Sequence, residues 1–370
     1  MVTSLKLKSK LITVDYFAIY IIKTSPGVIN KINQTVCSLN SNGYVARSVI
    51  SPWAGITNKI KYAIQLMQSQ ADILLIRNTS LQPFLVPIML WKRLQGKKII
   101  IDIPTPLTIN LHELKMCDMN SLALGVRIAA LVTSFPWALY PANKVLQYAH
   151  ESAYFSIGVR NKTQLIANGI DVASIPFRKN TPVWPINTFI MVAVGSLGQW
   201  HAFDRAIRGI ANYKNSTSSQ EKVNIHLIIV GDGECRQSWE KLAEELGVLH
   251  CVEFTGFKTG SELTQLVDLA HVAVASLGLF RKGLDMASDL KSREYTARGL
   301  PFIAAGDDID FDPTPGFVLK LENSDVPVDM GSVISWYENL AKNENLALEI
   351  RRYADDQLDF SKKMPQLLDC

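Results

Sequence analysis

The chain of 370 residues is 48% apolar and 19% charged, with a formal charge of +4 at neutral pH. That length exceeds what one hydrophobic core fills, so two domains of ordinary size are expected, and the composition excludes disorder and low-complexity repeats. The mild charge gives no support to a nucleic-acid partner, which needs a concentrated basic face, but suits an anionic ligand or a membrane surface.

The first segment carries Lys6, Lys8 and Lys10 before an apolar run and so imitates a signal peptide. Asp15 interrupts that run and no small-residue cleavage site follows, so residues 10–14 read as a first strand. Short β-rich runs then alternate with helical patterns, the signature of parallel sheets with crossover helices. A first series places strands at 10–14, 44–50, 72–77, 98–103 and 144–147. The longest apolar stretch, 122–141, is broken by Arg127 and Pro136 and falls short of the roughly 20 residues a spanning helix needs. The simpler reading is a buried helix followed by a loop. The alternative is a surface that docks on a bilayer, with Trp137 and Tyr140 as interfacial anchors.

Residues 178–185 are polar, hold two prolines and fit neither period, which marks 181–185 as a linker between domains at 1–180 and 186–345. A second series places strands at 189–194, 224–230, 252–254, 272–275 and 302–304. The final segment, 346–370, reads as helical, with apolar Leu346, Ile350, Tyr353 and Leu358, and can cap either domain. The five cysteines are scattered, without a Cys-x-x-Cys pair, and fit a reducing, cytoplasmic compartment.

The turn Gly195-Ser196-Leu197-Gly198 offers backbone N–H groups and a helix N-terminus at the carboxyl end of a strand, where an anion can sit, although glycine in such a turn also has a purely geometric reading. His201, just before the helix, reads either as a donor to a phosphate or as a polar surface residue. Gly231-Asp232-Gly233 reads as a tight strand-to-helix turn, and Phe254-Thr255-Gly256-Phe257 ends a third strand with an aromatic that either stacks on a base or closes the core. The most informative stretch runs from Ser276 to Pro301. Ser288 is expected as an N-cap, Asp289 complements the helix dipole, and Gly299-Leu300-Pro301 stops the helix. Lys291, Glu294 and Arg298 fall on one face, a spacing that favours a solvated ion-pair face.

Taken in order, these segments resemble the retaining glycosyltransferases of the two-domain B fold, in particular family 4 enzymes of bacterial capsular and exopolysaccharide synthesis. The resemblance covers nearly the whole chain. It rests on Asn168-Gly-Ile-Asp171, the Val194 to Asp204 turn, Gly231-Asp-Gly233, Phe254-Thr-Gly256 and Lys291-Ser-Arg-Glu-Tyr-Thr-Ala-Arg-Gly-Leu-Pro301. Weaker likenesses are Ser25-Pro-Gly27-Val28, Ile76-Arg77 and Ile101-Asp102-Ile-Pro-Thr105. It implies an α/β fold of two Rossmann-like doubly wound domains facing a cleft, with the acceptor on the first and the nucleotide on the second. It further implies a sugar-nucleotide donor, a saccharide or lipid-linked acceptor, no other cofactor and a peripheral place on the inner membrane face.

For the site, the resemblance implies donor contacts from Gly27, Ser196, His201, Phe257, Arg281, Lys282, Lys291 and Glu294, with Glu294 on the ribose. Asp102 is a candidate acid toward a sugar hydroxyl or the acceptor. Three departures stand out: Ser196 and His201 replace a usual arginine and lysine, Asp102 replaces glutamate, and Met286 occupies the position of the carboxylate that touches the transferred sugar. No His/Asp cluster has metal-ligand spacing, so metal-independent transfer is expected, supported by Arg281, Lys282, Lys291 and helix N-termini. Met286 and Ser196 motivate a second reading, a non-catalytic homologue that binds a sugar nucleotide or a partner. A sugar-nucleotide epimerase of the same fold is a third.

Overall fold

The structure, a computed structural model, describes residues 11–20, 26–116, 120–178, 187–216 and 223–368. The expected linker at 181–185 lies outside the described residues. The chain forms two compact units, residues 1–166 together with 360–370, and residues 167–359. The first unit thus ends before position 180, and the final segment divides between the units.

The first unit holds β1 (Thr13–Tyr20), α1 (Pro26–Ser41), β2 (Val45–Pro52), α2 (Ile56–Gln68), β3 (Ile73–Arg77), α3 (Gln82–Leu94), β4 (Lys98–Ile103), α4 (Leu107–Met116), α5 (Ser121–Ala138), β5 (Lys144–Gln147) and β6 (Thr163–Leu165). Its six strands are all parallel, in the order β2-β1-β3-β4-β5-β6. Strands buried on both faces carry nearly continuous apolar runs, as in Ile-Leu-Leu-Ile of β3. Strand β1 runs beyond residue 14 because Asp15 is not a break. Arg47 donates to its carboxylate at 2.6 and 2.9 Å, and the Ser69 hydroxyl at 2.6 Å, so the charge is compensated inside the sheet. Helix α5 corrects the expectation of a buried helix plus loop. It continues past position 136, and its first fourteen residues are exposed or half-buried before Phe135 enters the core.

The second unit holds β7 (Thr188–Val194), α6 (Asp204–Asn215), β8 (Asn224–Val230), α7 (Arg236–Glu245), β9 (Val252–Gly256), α8 (Gly260–Leu269), β10 (Val272–Val274), α9 (Leu290–Arg298), β11 (Phe302–Ala305), β12 (Val318–Leu321), α10 (Met330–Leu340) and α11 (Leu346–Tyr353). Its strands are again parallel, in the order β12-β11-β10-β7-β8-β9. A π-helical turn, Ala354–Leu358, follows α11, and α12 (Phe360–Leu368) then belongs to the first unit, where Phe360, Leu367 and Leu368 join the core beside α1.

Both sheets are Rossmann-like. In the second, the strand sequence reverses direction between β7 and β10; in the first, between β1 and β3. Adjacent loops leave the sheet on opposite sides at such a point, opening a crevice at the carboxyl ends of the strands where ligands bind.

Candidate functional site

In the second unit, the loop after β7 and the loop after β10 flank the switch point. The first carries Gly195, Ser196 and a short 3-10 turn ending at His201; the second begins with Ser276. Across the gap, His201 Nδ1 lies 3.1 Å from the Ser276 hydroxyl and 2.7 Å from Lys291 Nζ. Helix α9 brings Lys291 there from its first turn. A Cβ built on Gly195 would stand 3.3 Å from both His201 Nε2 and Lys291 Nζ, so the glycine leaves the two side chains open toward the loop. The imidazole also stacks on Phe203, with ring centroids 5.5 Å apart.

The electrostatics follow from burial. Desolvation, reinforced by the ammonium groups of Lys291 and Lys282, holds His201 down at about 3 against the opposing pull of Asp289. Burial likewise brings Lys291 down to about 8, with Asp289 working against it. Accepting from Lys291 at Nδ1 places the proton of neutral His201 on Nε2, the nitrogen nearer Gly195. A half-buried lysine ammonium, an imidazole N–H and the loop N–H groups thus converge without a carboxylate in hydrogen-bonding contact with that ammonium among the described residues.

Glycines hold the neighbouring loops in register. A Cβ on Gly231 would fall 1.9 Å from the Gly195 carbonyl oxygen, and one on Gly233 within 2.8 Å of the Leu197 backbone N and O. The gap is closed by hydrogen bonds from Leu197 N to Asp232 O (2.9 Å) and from Cys235 N to Leu197 O (2.9 Å). Gly231-Asp-Gly233 therefore serves close backbone approach. Phe257 follows the carboxyl end of β9 and is 79% exposed.

Helix α9 is bounded almost as expected. Its N-cap is Asp289, one residue later than Ser288, because the Ser288 hydroxyl instead accepts from the Asn168 N–H at 2.6 Å. Gly299 ends it in the left-handed region at φ 78°, with Leu300 N donating to Tyr295 O. The ion-pair face is absent: among the described residues no ion pair joins Glu294 to Arg298 or Lys291, and Arg298 turns to the Thr264 hydroxyl at 3.4 Å. Glu294 is half-buried; desolvation pushes its carboxyl up, Arg298 opposing.

Other expected residues fall elsewhere. The Arg281 fork is taken up by Asp204 (2.8 and 2.7 Å) and Asp325 (2.6 Å), so its donors are spent on holding its loop to α6. Lys282 Nζ lies 4.0 Å from the centre of the Trp200 ring. Ser196 is exposed, beside the cradle, and Gly27 sits in the first turn of α1 in the other unit, after the undescribed residues 21–25. Asp102 is fully enclosed in the first unit. Arg77 donates to it at 2.8 Å and the Tyr16 hydroxyl also bonds to it, while Arg77 Nε donates to the Tyr20 hydroxyl at 2.8 Å across the β1–β3 switch point. Burial works to raise that carboxyl, but Arg77, Lys31 and Tyr16 outweigh it and hold it below its ordinary value. An ion-paired, enclosed carboxylate is poorly placed as an acid, so Asp102 reads as a brace for Arg77 and Tyr16.

Met286 pairs with Asp307 in an isolated bridge and lines a cavity of about 310 Å³ together with Ser276, Asp289, Ser292 and Asp308. Asp285, next to it, is exposed and is not part of that lining. Three residues named in the sequence reading were given no role there. Ser276 was invisible without the strand order, and Asn168 without the fold-back of its loop onto α9. Arg293, fully buried, anchors α9 through Asp308 (2.7 Å), Asp310 (2.6 Å) and the carbonyl oxygens of Asn168 and Asp289 (both 3.1 Å). Among the described residues no three His, Cys, Asp or Glu side chains are grouped to hold a metal ion.

Residues 188–315 match the family model described as glycosyl transferases group 1. No curated protein matches the sequence. Among solved structures, the chain is similar to Anabaena HepE in complex with UDP, at 13% identity and a TM-score of 0.63, covering 96% of this chain and 98% of that one. A glycosyltransferase from Rickettsia africae gives 12%, 0.61 and 98% of both chains, and the lipopolysaccharide outer core galactosyltransferase WaaB gives 12%, 0.59, 96% and 99%. Likeness at such identities is likeness of fold. The two six-stranded sheets are thus those of the two-domain glycosyltransferase B fold, and residues 188–315 carry the group 1 pattern.

Proposed function

We propose that the protein is a glycosyltransferase that takes a sugar from a nucleoside-diphosphate donor, with retention and without a metal, and passes it to a saccharide or lipid-linked acceptor in surface polysaccharide synthesis. The observation that carries this reading is the cradle at the β7–β10 switch point. Lys291 and the Nε2 proton of His201 face the Gly195-Ser196 loop, a set of donors suited to a diphosphate.

In the reaction, the bond between the anomeric carbon and the β-phosphate oxygen breaks, and its electron pair stays on the diphosphate. Lys291, the loop N–H groups and His201 take up that charge. The acceptor oxygen bonds to the same face of the anomeric carbon, and its proton passes to the departing phosphate. Glu294, whose carboxylate has no hydrogen-bond donor among the described residues, accepts from the ribose hydroxyls, and the exposed Phe257 ring offers a face for the base. Arg281 is left out of this set because its donors are occupied.

The test is donor binding and turnover with UDP- and GDP-sugars, with and without chelator. Micromolar nucleotide binding and chelator-resistant sugar transfer are expected; no nucleotide binding would overturn the reading. Met286 supports a second reading, a binder of sugar nucleotides without turnover, since a thioether lines the cavity where a carboxylate is usual in relatives. Tight binding with no transfer or hydrolysis, unchanged by Met286→Glu, would favour it. A free epimerised sugar as product would identify an epimerase.

A further inference from the structure

The cavity that Met286 lines adjoins the donor cradle within the second unit. Ser276 belongs to both: its hydroxyl meets His201 at 3.1 Å, and it forms part of the cavity wall. Ser292, next to Lys291 on α9, lines the cavity as well. A diphosphate on the cradle therefore places the group it carries beside this opening. The volume, about 310 Å³, is at the lower end of the roughly 300–1,000 Å³ of small-molecule sites and suits one sugar ring better than a chain of them.

Backbone hydrogen bonds fix the rim. Ala287 N donates to Asp307 O at 3.0 Å, and Asp307 N to Asp285 O at 2.8 Å. Gly306, at φ 83°, allows that approach, since a Cβ there would stand 2.8 Å from Asp285 O and 2.7 Å from a Leu279 methyl carbon.

Asp289, Asp307, Asp308 and Asp312 line the cavity, and two of them are paired. Asp307 binds the exposed Lys320, and Asp308 binds the buried Arg293. Among the described residues no hydrogen bond or ion pair reaches the carboxylate of Asp289 or Asp312. Asp289 is half-buried, and although it stands at the N-cap of α9, its side chain bonds to no N–H of the first turn. The simplest structural role for this carboxylate is thus unfilled. Its nearness to the cradle shows in its opposing pull on Lys291 and His201, both held down chiefly by burial.

Charge limits what such a carboxylate can meet. It repels a diphosphate, so its place beside the cradle suits the uncharged part of a donor. An ionised carboxylate only accepts, sugar hydroxyls donate, and two adjacent hydroxyls can bond to its two oxygens. Met286, Ala287 and Phe311 supply apolar surface for the C–H groups of a ring. A sugar with its own carboxylate would instead face Asp289 and Asp312 against like-charge repulsion.

We propose that Asp289 recognises the transferred sugar by accepting its hydroxyls in this cavity, and that the site takes donors of a neutral sugar in preference to those of a uronic acid. The inference rests on the sugar-nucleotide reading of the cradle and gives Asp289 a contact that Met286 cannot make.

Calorimetry at about pH 6.5, where Lys291 is charged, tests this with free UDP and GDP and with their hexose, N-acetylhexosamine and glucuronic acid derivatives. The tightest neutral donor should bind at least about tenfold better than UDP-glucuronic acid. Asp289→Asn keeps the shape and an equally good capping residue, so its melting temperature should match wild type. In that variant the tightest neutral donor should lose about tenfold or more in affinity, the worth of a hydrogen bond to a charged acceptor. Free nucleotide should bind as well as before or better, and the preference over UDP-glucuronic acid should narrow. A role confined to the helix end would lower stability and leave that preference intact. Absence of nucleotide binding by the wild-type protein would remove the donor reading and this inference together. Nucleotide binding with UDP-glucuronic acid held as tightly as the neutral donors would overturn this inference alone, as would an Asp289→Asn variant that ranks neutral and acidic donors as wild type does.

Discussion

Lys291 Nζ and His201 Nδ1 stand 2.7 Å apart across the β7–β10 switch point, joining the first turn of α9 to the end of the 3-10 turn that follows β7. Two basic groups this close cannot both be charged, and burial settles the matter by keeping the imidazole neutral. The lysine holds the cation and the histidine holds a proton to donate.

The pair makes nucleotide affinity depend on pH. Lys291 titrates at about 8 in the free protein, and a bound diphosphate favours its charged form. Binding is therefore full below pH 8. Above it, the anion must draw a proton onto the amine, and affinity should fall by up to about tenfold per pH unit. Titration calorimetry with UDP from pH 7 to 9 checks this; Lys291→Met should bind weakly with a flat profile.

Glu294→Ala should weaken UDP binding about tenfold to a hundredfold, the worth of one or two hydrogen bonds to a charged acceptor. Its burial raises the carboxyl in the free protein and no ion pair is lost, so thermal stability should stay within about 0.5 kcal/mol of wild type. A large stability loss with normal affinity would make Glu294 a structural residue.

Arg293→Met should do the reverse. The guanidinium is fully buried against Asp308 and Asp310, and its removal strands two carboxylates. A loss of about 3–5 kcal/mol is expected in chemical denaturation. Nucleotide affinity, measured where the variant is still folded, should fall far less than in Lys291→Met.

Gly231→Ala tests the loop packing. The added methyl would meet the Gly195 carbonyl oxygen at 1.9 Å, and the backbone is already at φ 135°. The loop bearing Ser196 must shift, so both stability and UDP affinity should fall, the former by at least about 1–3 kcal/mol. Gly247→Ala, where nothing lies within 4 Å, should leave UDP affinity unchanged.

Much of the fold was legible because strands buried on both faces leave apolar runs: residues 98–103, 144–147 and 224–230 are the observed strands β4, β5 and β8. Strands β6 and β12 escaped notice. Thr163–Leu165 is too short to show a pattern, and Val318–Leu321 follows directly on Pro-Thr-Pro-Gly. The stop of α9 was readable because glycine in the left-handed region is a local necessity; its start was not, because Ser288 is claimed by Asn168, 120 positions away. The same limit applied to charges. Spacing along a helix put Lys291 with Glu294, whereas the tertiary fold put Lys291 with His201 and left Arg281 to Asp204. Side-chain partners set by strand order cannot be seen in a linear pattern.

The return of α12 to the first unit gives the chain a order of assembly. Ser38 of α1 donates to the Phe360 carbonyl at 2.9 Å, and Leu367 and Leu368 fill the core beneath α1. The first unit stays incomplete until all of residues 167–359 have been made, so it must remain open on that side while its neighbour is already able to fold. A fragment ending at Ile166 would expose the apolar floor that α12 covers, and the natural tolerance for cutting this protein into halves is correspondingly low.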